Sequence, residues 1–242
     1  MGALREFATA KGIGFPLLAD EGSHVITELG LLDRDLAAHH AAFGIQTRDN
    51  QLGVAYPAIF VLDEAGRVVA KRIKENYRAR EGMLKLLDET VGVALTPAGP
   101  QRRAGTGRVD ITVVTDSPDY VRWQETRLHL IFDVEPGWHV YGSPVPDGYI
   151  AVAVDIEAIP EVAVKRVELP PTRPLRIESV DEDFQVHEGR FELRVPFAVN
   201  VPQGRGSVEF KIAVHYQACS DAECLPPATL LFELSLNEAA AA

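Results

Sequence analysis

The spacing of apolar residues changes character partway along the chain. Up to about residue 95 it mixes helical and strand periods. Leu4, Phe7, Ala8 and Lys11 predict a short amphipathic helix ending near Gly12. "GFPLLAD" predicts a short strand, and Ser23 stands where it would cap a helix through "HVITELGLL", with Val25, Ile26 and Leu29 on one face. "AIFVLDEAGRVVAKRI" places two β-rich runs around Asp63-Glu64-Ala65-Gly66, a hairpin signal. "GMLKLLDETVGVAL" predicts a helix with Met83, Leu86 and Leu87 facing inward. Residues 96–107, "TPAGPQRRAGTG", carry Pro, Gly and Arg with almost no apolar content and read as a linker. Beyond it the period becomes two. "VDITVVT", "RLHLIFDV", "AVAVDI", "VAVKRVEL", "FELRVPFAV", "VEFKIAVHYQA" and "TLLFELSL" are strand candidates, most of them separated by turn residues, and together they predict an antiparallel β-sandwich.

Length and composition narrow the function. The 242 residues suffice for two ordinary domains, and 46% apolar with 24% charged is the balance of a globular protein with a sizeable core. Thirty-five acidic against 24 basic residues leave a net charge of −11, which argues against nucleic acid as a partner. No apolar run approaches the roughly 18 to 20 residues that span a bilayer. "MGALREFATAKGIG" lacks the continuous apolar stretch of a signal peptide.

Candidate chemistry concentrates in "HYQACSDAECLPPATLLFEL", which holds both cysteines of the chain, Cys219 and Cys224. Fully extended, the five residue steps between them would span about 17 Å. A disulfide needs Cα atoms within about 7 Å, so a bonded pair requires "SDAE" to turn the chain back. Ser220 and Asp221 suit such a turn, and Pro226-Pro227 stops strand pairing beside it. A staple closing so short a loop removes only about 2 kcal/mol of chain entropy. Two cysteines are half a zinc set, and His187 and His215 carry no ligand spacing. The tandem His39 and His40 point about 100° apart on a helix and read as a polar surface segment. The residues alone leave a redox-active dithiol, a structural staple, and free or metal-bound thiols open, with no metal site or cofactor indicated.

The first half, in "FATAKGIGFPLLADEGSHVITELGLL", "YPAIFVLDEAGRVV" and "ENYRAR", resembles the later part of the AhpC/TSA redoxin family over about residues 1–90. That resemblance implies a partial thioredoxin-like α/β fold and makes Pro57, after Tyr56, the candidate for the family's cis-proline. The family's reactive cysteine precedes the matched segment, and residues 1–218 contain no cysteine. Peroxidase activity is therefore not expected from this chain, and a start further upstream is expected to supply the missing segment.

The second half resembles the N-terminal domain of DsbD, the thiol-disulfide interchange protein, over about residues 108–236. The resemblance lies in tyrosine-glutamine (Tyr216), small residue, cysteine, short polar turn, cysteine and double proline. "EPGWHVYGSPVPDGY" matches an aromatic strand, which places Trp138 and Tyr141 near the cysteines. "VDEDFQVHEGRFEL" matches a cap loop in which Phe184 covers the pair, with Glu182 and Asp183 beside it. The implied fold is α+β in two domains: a partial thioredoxin-like domain over 1–95, the linker, and an immunoglobulin-like sandwich over 108–237. The implied function is thiol-disulfide exchange with thioredoxin-like redox partners in an extracytoplasmic compartment. Cys219 and Cys224 are the expected catalytic pair, with Cys219 the attacking sulfur. Asp221 and Glu223 disfavour a thiolate beside them. The fusion implies electron exchange between the two halves. Two rivals remain: a non-enzymatic binding module with a structural disulfide, and a truncated thiol peroxidase whose cysteine lies upstream.

Overall fold

The computed structural model describes residues 2–42, 44–75, 79–93, 96–177 and 182–239. The chain divides into two compact units, residues 1–79 and 80–242.

The first unit contains helices α1 (Gly2–Ala10), α2 (His24–Glu28) and α3 (Leu36–Ala42) and strands β1 (Ala58–Leu62) and β2 (Val68–Ile73). The hairpin forms as its pattern predicts. Asp63 Oδ1 accepts from the amides of Ala65 and Arg67, and Gly66 takes the positive φ of 78° that the turn requires. Three expectations change. "GFPLLAD" forms no strand, so among the described residues the sheet of this unit is the two-stranded β1–β2 hairpin. Ser23 does not cap α2; the Asp20 carboxylate takes the amides of Val25 and Ile26 instead, because Ser23 itself has a positive φ of 56°. The Tyr56–Pro57 bond is not cis, and the cis bond among the described residues is Ser143–Pro144. In its trans form the Pro57 carbonyl accepts from Lys74 and extends the hairpin ladder.

The second unit holds α4 (Met83–Val91) and the strands β3 (Gln101–Gly105), β4 (Val109–Thr115), β5 (Asp119–Tyr120), β6 (Glu125–Val134), β7 (Trp138–Tyr141), β8 (Ala153–Ala158), β9 (Val162–Val164), β10 (Arg173–Ile177), β11 (Glu182–Glu188), β12 (Arg190–Val199), β13 (Ser207–Tyr216), β14 (Ala218–Ser220) and β15 (Ala228–Glu238). They form three sheets, ordered β3-β4-β6-β12-β9, β5-β15-β13-β8 and β10-β11-β7-β14. The named strands pair antiparallel except β15 with β5. One core joins the sheets. Ile111, Leu130, Phe132 and Leu193 come from the first sheet, and Phe210, Ile212, Val214 and Phe232 from the second. Trp138, Val140 and Ala218 enter from the third. The period-two pattern does what it predicts most plainly in β13 and β15, where buried residues alternate with more exposed ones.

Residues 96–107 are not a free linker. Gln101–Gly105 form an edge strand on β4, braced by an Arg103–Asp110 ion pair of 2.7 Å, and the amides of Ala98 and Gly99 bond the carbonyls of Asp116 and Thr115. Its polar composition is that of a protected sheet edge, which a search for apolar runs passes over. Helix α4 also belongs to this unit. Leu86 is its buried residue, whereas Met83 is exposed. The rest of the seam is charged: Asp88 accepts from Arg127 at 2.5 Å and Arg194 at 2.9 Å, and Lys85 reaches Glu81, Glu89 and Glu125.

Candidate functional site

The cysteines lie where β14 turns back on itself. Ser220 builds the turn: its amide bonds the Glu223 carbonyl at 2.8 Å, and its hydroxyl accepts from the amides of Ala222 and Glu223. Leu225 returns alongside, its amide on the Ala218 carbonyl at 2.9 Å. Cys219 and Cys224 thus face each other with Cα atoms 4.1 Å apart and are joined as a disulfide. The two ends differ in access. Cys219 is fully buried, and Cys224 is exposed on the outer limb.

Strand β7 divides the surroundings by its alternation. Trp138 and Val140 point into the main core; His139 and Tyr141 point to the opposite face. On that face Tyr141, Phe184, Val186 and Cys219 form a separate buried cluster, with Val145, Tyr149, Leu175 and Ile177 packed against it. The rings interlock. Tyr141 and Phe184 have centroids 5.0 Å apart, and Tyr149 stands 5.2 Å from Tyr141 and 4.9 Å from Phe184, both nearly edge-on. The Tyr141 hydroxyl lies 3.6 Å from Cys224 Sγ and, against a disulfide sulfur, is the donor. Burial, with Tyr149 adding to it, pushes the Tyr141 pKa up to about 12, so the hydroxyl keeps its proton.

The structure brings together four residues singled out from the sequence: Cys219, Cys224, Tyr141 and Phe184. The others stand apart. Trp138 pairs with Ser220 in the ladder, but its ring belongs to the core face, with the Arg108 guanidinium 4.9 Å from its centroid. Tyr216 is also core; its hydroxyl bonds Thr106 at 2.9 Å and its ring meets Phe132 edge-on. Asp183 is exposed and pairs with Arg176 at 3.2 Å. Glu182 shares the face of Phe184 by alternation but lies two residues farther along β11. His215 bonds Thr229 and Asp155, a role within its sheet. On α3, His39 faces Asp33 and His40 faces Thr47.

Tyr149 was not among the sequence candidates, nor were two further residues, one of them the glutamine of the tyrosine-glutamine motif. Gln217 is buried between the arms of the turn region, accepting from the Ile150 amide at 3.2 Å and donating to the Leu225 carbonyl at 3.1 Å. His139 stands directly opposite Cys219 in the β7–β14 ladder, is 3% exposed, and meets the Tyr141 ring edge-on at 5.3 Å. Burial pushes its pKa down, against the pull of Glu188 and Asp221, so the ring is neutral at neutral pH. Its place two residues before Tyr141 in a strand was the available signal.

A β-sandwich carrying a half-buried disulfide beneath aromatic rings defines a class of domain with the means for thiol-disulfide exchange. The family model "Thiol:disulfide interchange protein DsbD, N-terminal" matches residues 112–236, just over half of the chain, and the chain belongs to that family. Among solved structures it is similar to the Neisseria meningitidis DsbD N-terminal domain in the reduced form, with 14% identity and a TM-score of 0.32, over 46% of this chain and 82% of that one. It is also similar to the N-terminal periplasmic domain of ScsB from Proteus mirabilis, with 12% identity and a TM-score of 0.38, over 56% of this chain and about half (49%) of that one. No curated protein matches the chain. Family membership and the bonded cysteine pair both fit thiol-disulfide exchange.

Proposed function

We propose that this protein carries reducing equivalents between thioredoxin-like protein partners by opening and closing the Cys219–Cys224 bond, in an extracytoplasmic compartment. The observation that carries this reading is the unequal access of the two sulfur-bearing residues. Exchange requires a thiolate to approach one sulfur of a disulfide in line. Cys224 lies exposed on the outer limb of the turn, and Cys219 is fully buried in the cluster of Tyr141, Phe184 and Val186. The expected order of roles is therefore reversed: Cys224 meets the partner, and Cys219 leaves and later resolves. An incoming partner thiolate attacks Cys224 Sγ, the Cys219 sulfur departs with the electron pair, and the partner's second thiol then releases Cys224. Run backwards, the reduced pair reduces a partner's disulfide. The redoxin resemblance of residues 1–90 adds a second part to the proposal. The partner it points to is a redoxin, whose thiol would exchange with the Cys219–Cys224 bond; residues 1–218 hold no cysteine.

The test is the reduction potential of the pair, by thiol trapping and mass spectrometry across graded glutathione and dithiothreitol buffers. The expected value lies between about −120 and −270 mV, the range of exchange-active dithiols. A Cys219→Ser chain is expected to accumulate a mixed disulfide with a thioredoxin-like protein through Cys224, and Cys224→Ser to form none. A potential below about −300 mV, with a bond inert to such a protein, returns the pair to the role of a staple.

A further inference from the structure

Exchange leaves an unanswered need at the buried end of the bond. When Cys224 is held in a mixed disulfide, Cys219 must lose its proton to attack, yet an apolar enclosure disfavours a thiolate. The enclosure around Cys219 is made of Tyr141, Phe184 and Val186. Tyr141 cannot take the proton, since its hydroxyl already carries one. The remaining ionisable side chain on that face of the neighbouring strand is His139. Residues directly opposite in an antiparallel ladder have Cβ atoms about 5 Å apart on one face, and Cys219 and His139 are such a pair. The His139 Nε2 is buried and has no hydrogen-bond partner among the described residues.

An unpartnered buried imidazole nitrogen is costly and calls for an explanation; His187 Nε2 is another, but that ring stacks on Phe191 and its ladder partner is Val140, not a residue opposite a cysteine. Resting on the exchange reading above, we infer that His139 is the proton acceptor of the resolving cysteine. In that step the Cys219 thiol gives its proton to the imidazole. The Cys219 thiolate attacks Cys224 Sγ, the Cys219–Cys224 bond forms, and the Cys224–partner bond breaks. The electron pair leaves on the partner's sulfur, and the imidazolium later returns its proton to solvent. Two electrons pass from the dithiol to the partner's disulfide.

The charges around His139 suit a transient cation. Glu188 of β11 lies opposite it on the other side of β7, Asp221 lies in the cysteine turn, and both favour the protonated ring. Arg173 of β10 opposes it, but that guanidinium is already paired with Glu188 at 2.5 Å. Burial keeps the ring neutral beforehand, leaving it able to accept.

The experiment uses the reduced full chain and dithiobis-nitrobenzoate, an aryl disulfide that releases one chromophoric thiolate at each step. Attack by Cys224 gives the first equivalent and resolution by Cys219 the second. In His139→Phe the first phase is expected to keep its rate. The second should slow about ten-fold or more and move its pH dependence upward, toward that of an unassisted thiol. His139→Gln, which can hydrogen-bond but cannot accept a proton, should show the same slowing and covers the case of a Phe variant that does not fold. A second phase of unchanged rate and pH profile in either folded variant overturns the assignment. A wild-type chain that gives no second phase overturns the exchange reading itself, an outcome separable from any effect of His139.

Discussion

At the scale of single residues, the site combines a covalent bond with two packing devices that substitution can separate. Phe184 is fully buried in the cluster that holds Cys219. Phe184→Ala should cost about 3 kcal/mol in urea unfolding, from lost burial and the cavity left behind. It should also speed reduction of the disulfide by dithiothreitol, since the cluster around Cys219 is opened; unchanged reduction would mean that Phe184 packs the domain without guarding the bond. Gln217 acts through the backbone. Gln217→Leu strands the Ile150 amide and the Leu225 carbonyl, and unfolding should show a loss of about 1 to 3 kcal/mol. Four of the site residues were legible because cysteines and aromatics announce themselves. His139 and Gln217 were not: His139 is a lone polar residue within a strand, and Gln217, though part of the tyrosine-glutamine motif, lies between β13 and β14 with nothing to show what it bonds. Only knowing which way β7 faces, and what lies across the ladder, reveals their use.

At the scale of elements, long alternating strands were readable and short polar ones were not. All seven apolar runs after residue 107 overlap a strand, though of "VAVKRVEL" only Val162–Val164 is one. Strands β3, β10 and β14 are short, or alternate small and charged residues, and their pairing depends on distant partners. Helix α4 was legible as a helix, but its seam was not. The sequence points to an apolar face, whereas Asp88 sits between two guanidinium groups, one of them on the buried Arg127. Arg127 keeps its Asp116 partner, so Asp88→Asn should lower stability by about 1 to 3 kcal/mol, from the weakened charged hydrogen bonds. Hydrogen exchange should show the α4 amides losing protection. Unchanged protection would show that Leu86 alone holds the helix.

At the scale of the molecule, buried histidines set an acid limb and a base limb of stability. Burial works to lower the His129 pKa, but bonds to Asp116 at 2.8 Å and to Glu192 outweigh it, and the net shift is upward. Its contribution is complete below the ordinary histidine value of about 6.5 and is lost as pH rises through the raised folded value. His139 and His187 act oppositely. Burial holds both neutral, so below about 6.5 the unfolded chain binds protons that the folded one refuses, and stability falls with pH. Urea midpoints across pH should thus pass through a maximum near that value. His129→Gln should flatten the alkaline limb alone, and an unchanged limb would remove the imidazolium from the account.

The short ring closed by Cys219 and Cys224 has a further consequence. Only five positions separate the cysteines, and the turn between them is held by its own Ser220 bonds and by Gln217 rather than by the disulfide alone. Opening the ring frees little chain, so the oxidised and reduced forms should have nearly the same shape. A partner could not then recognise which form it has met by contour. It would dock on both alike, and the direction of traffic would follow the partners' reduction potentials and the relative abundance of their oxidised and reduced forms, as goods move through an unmanned gate.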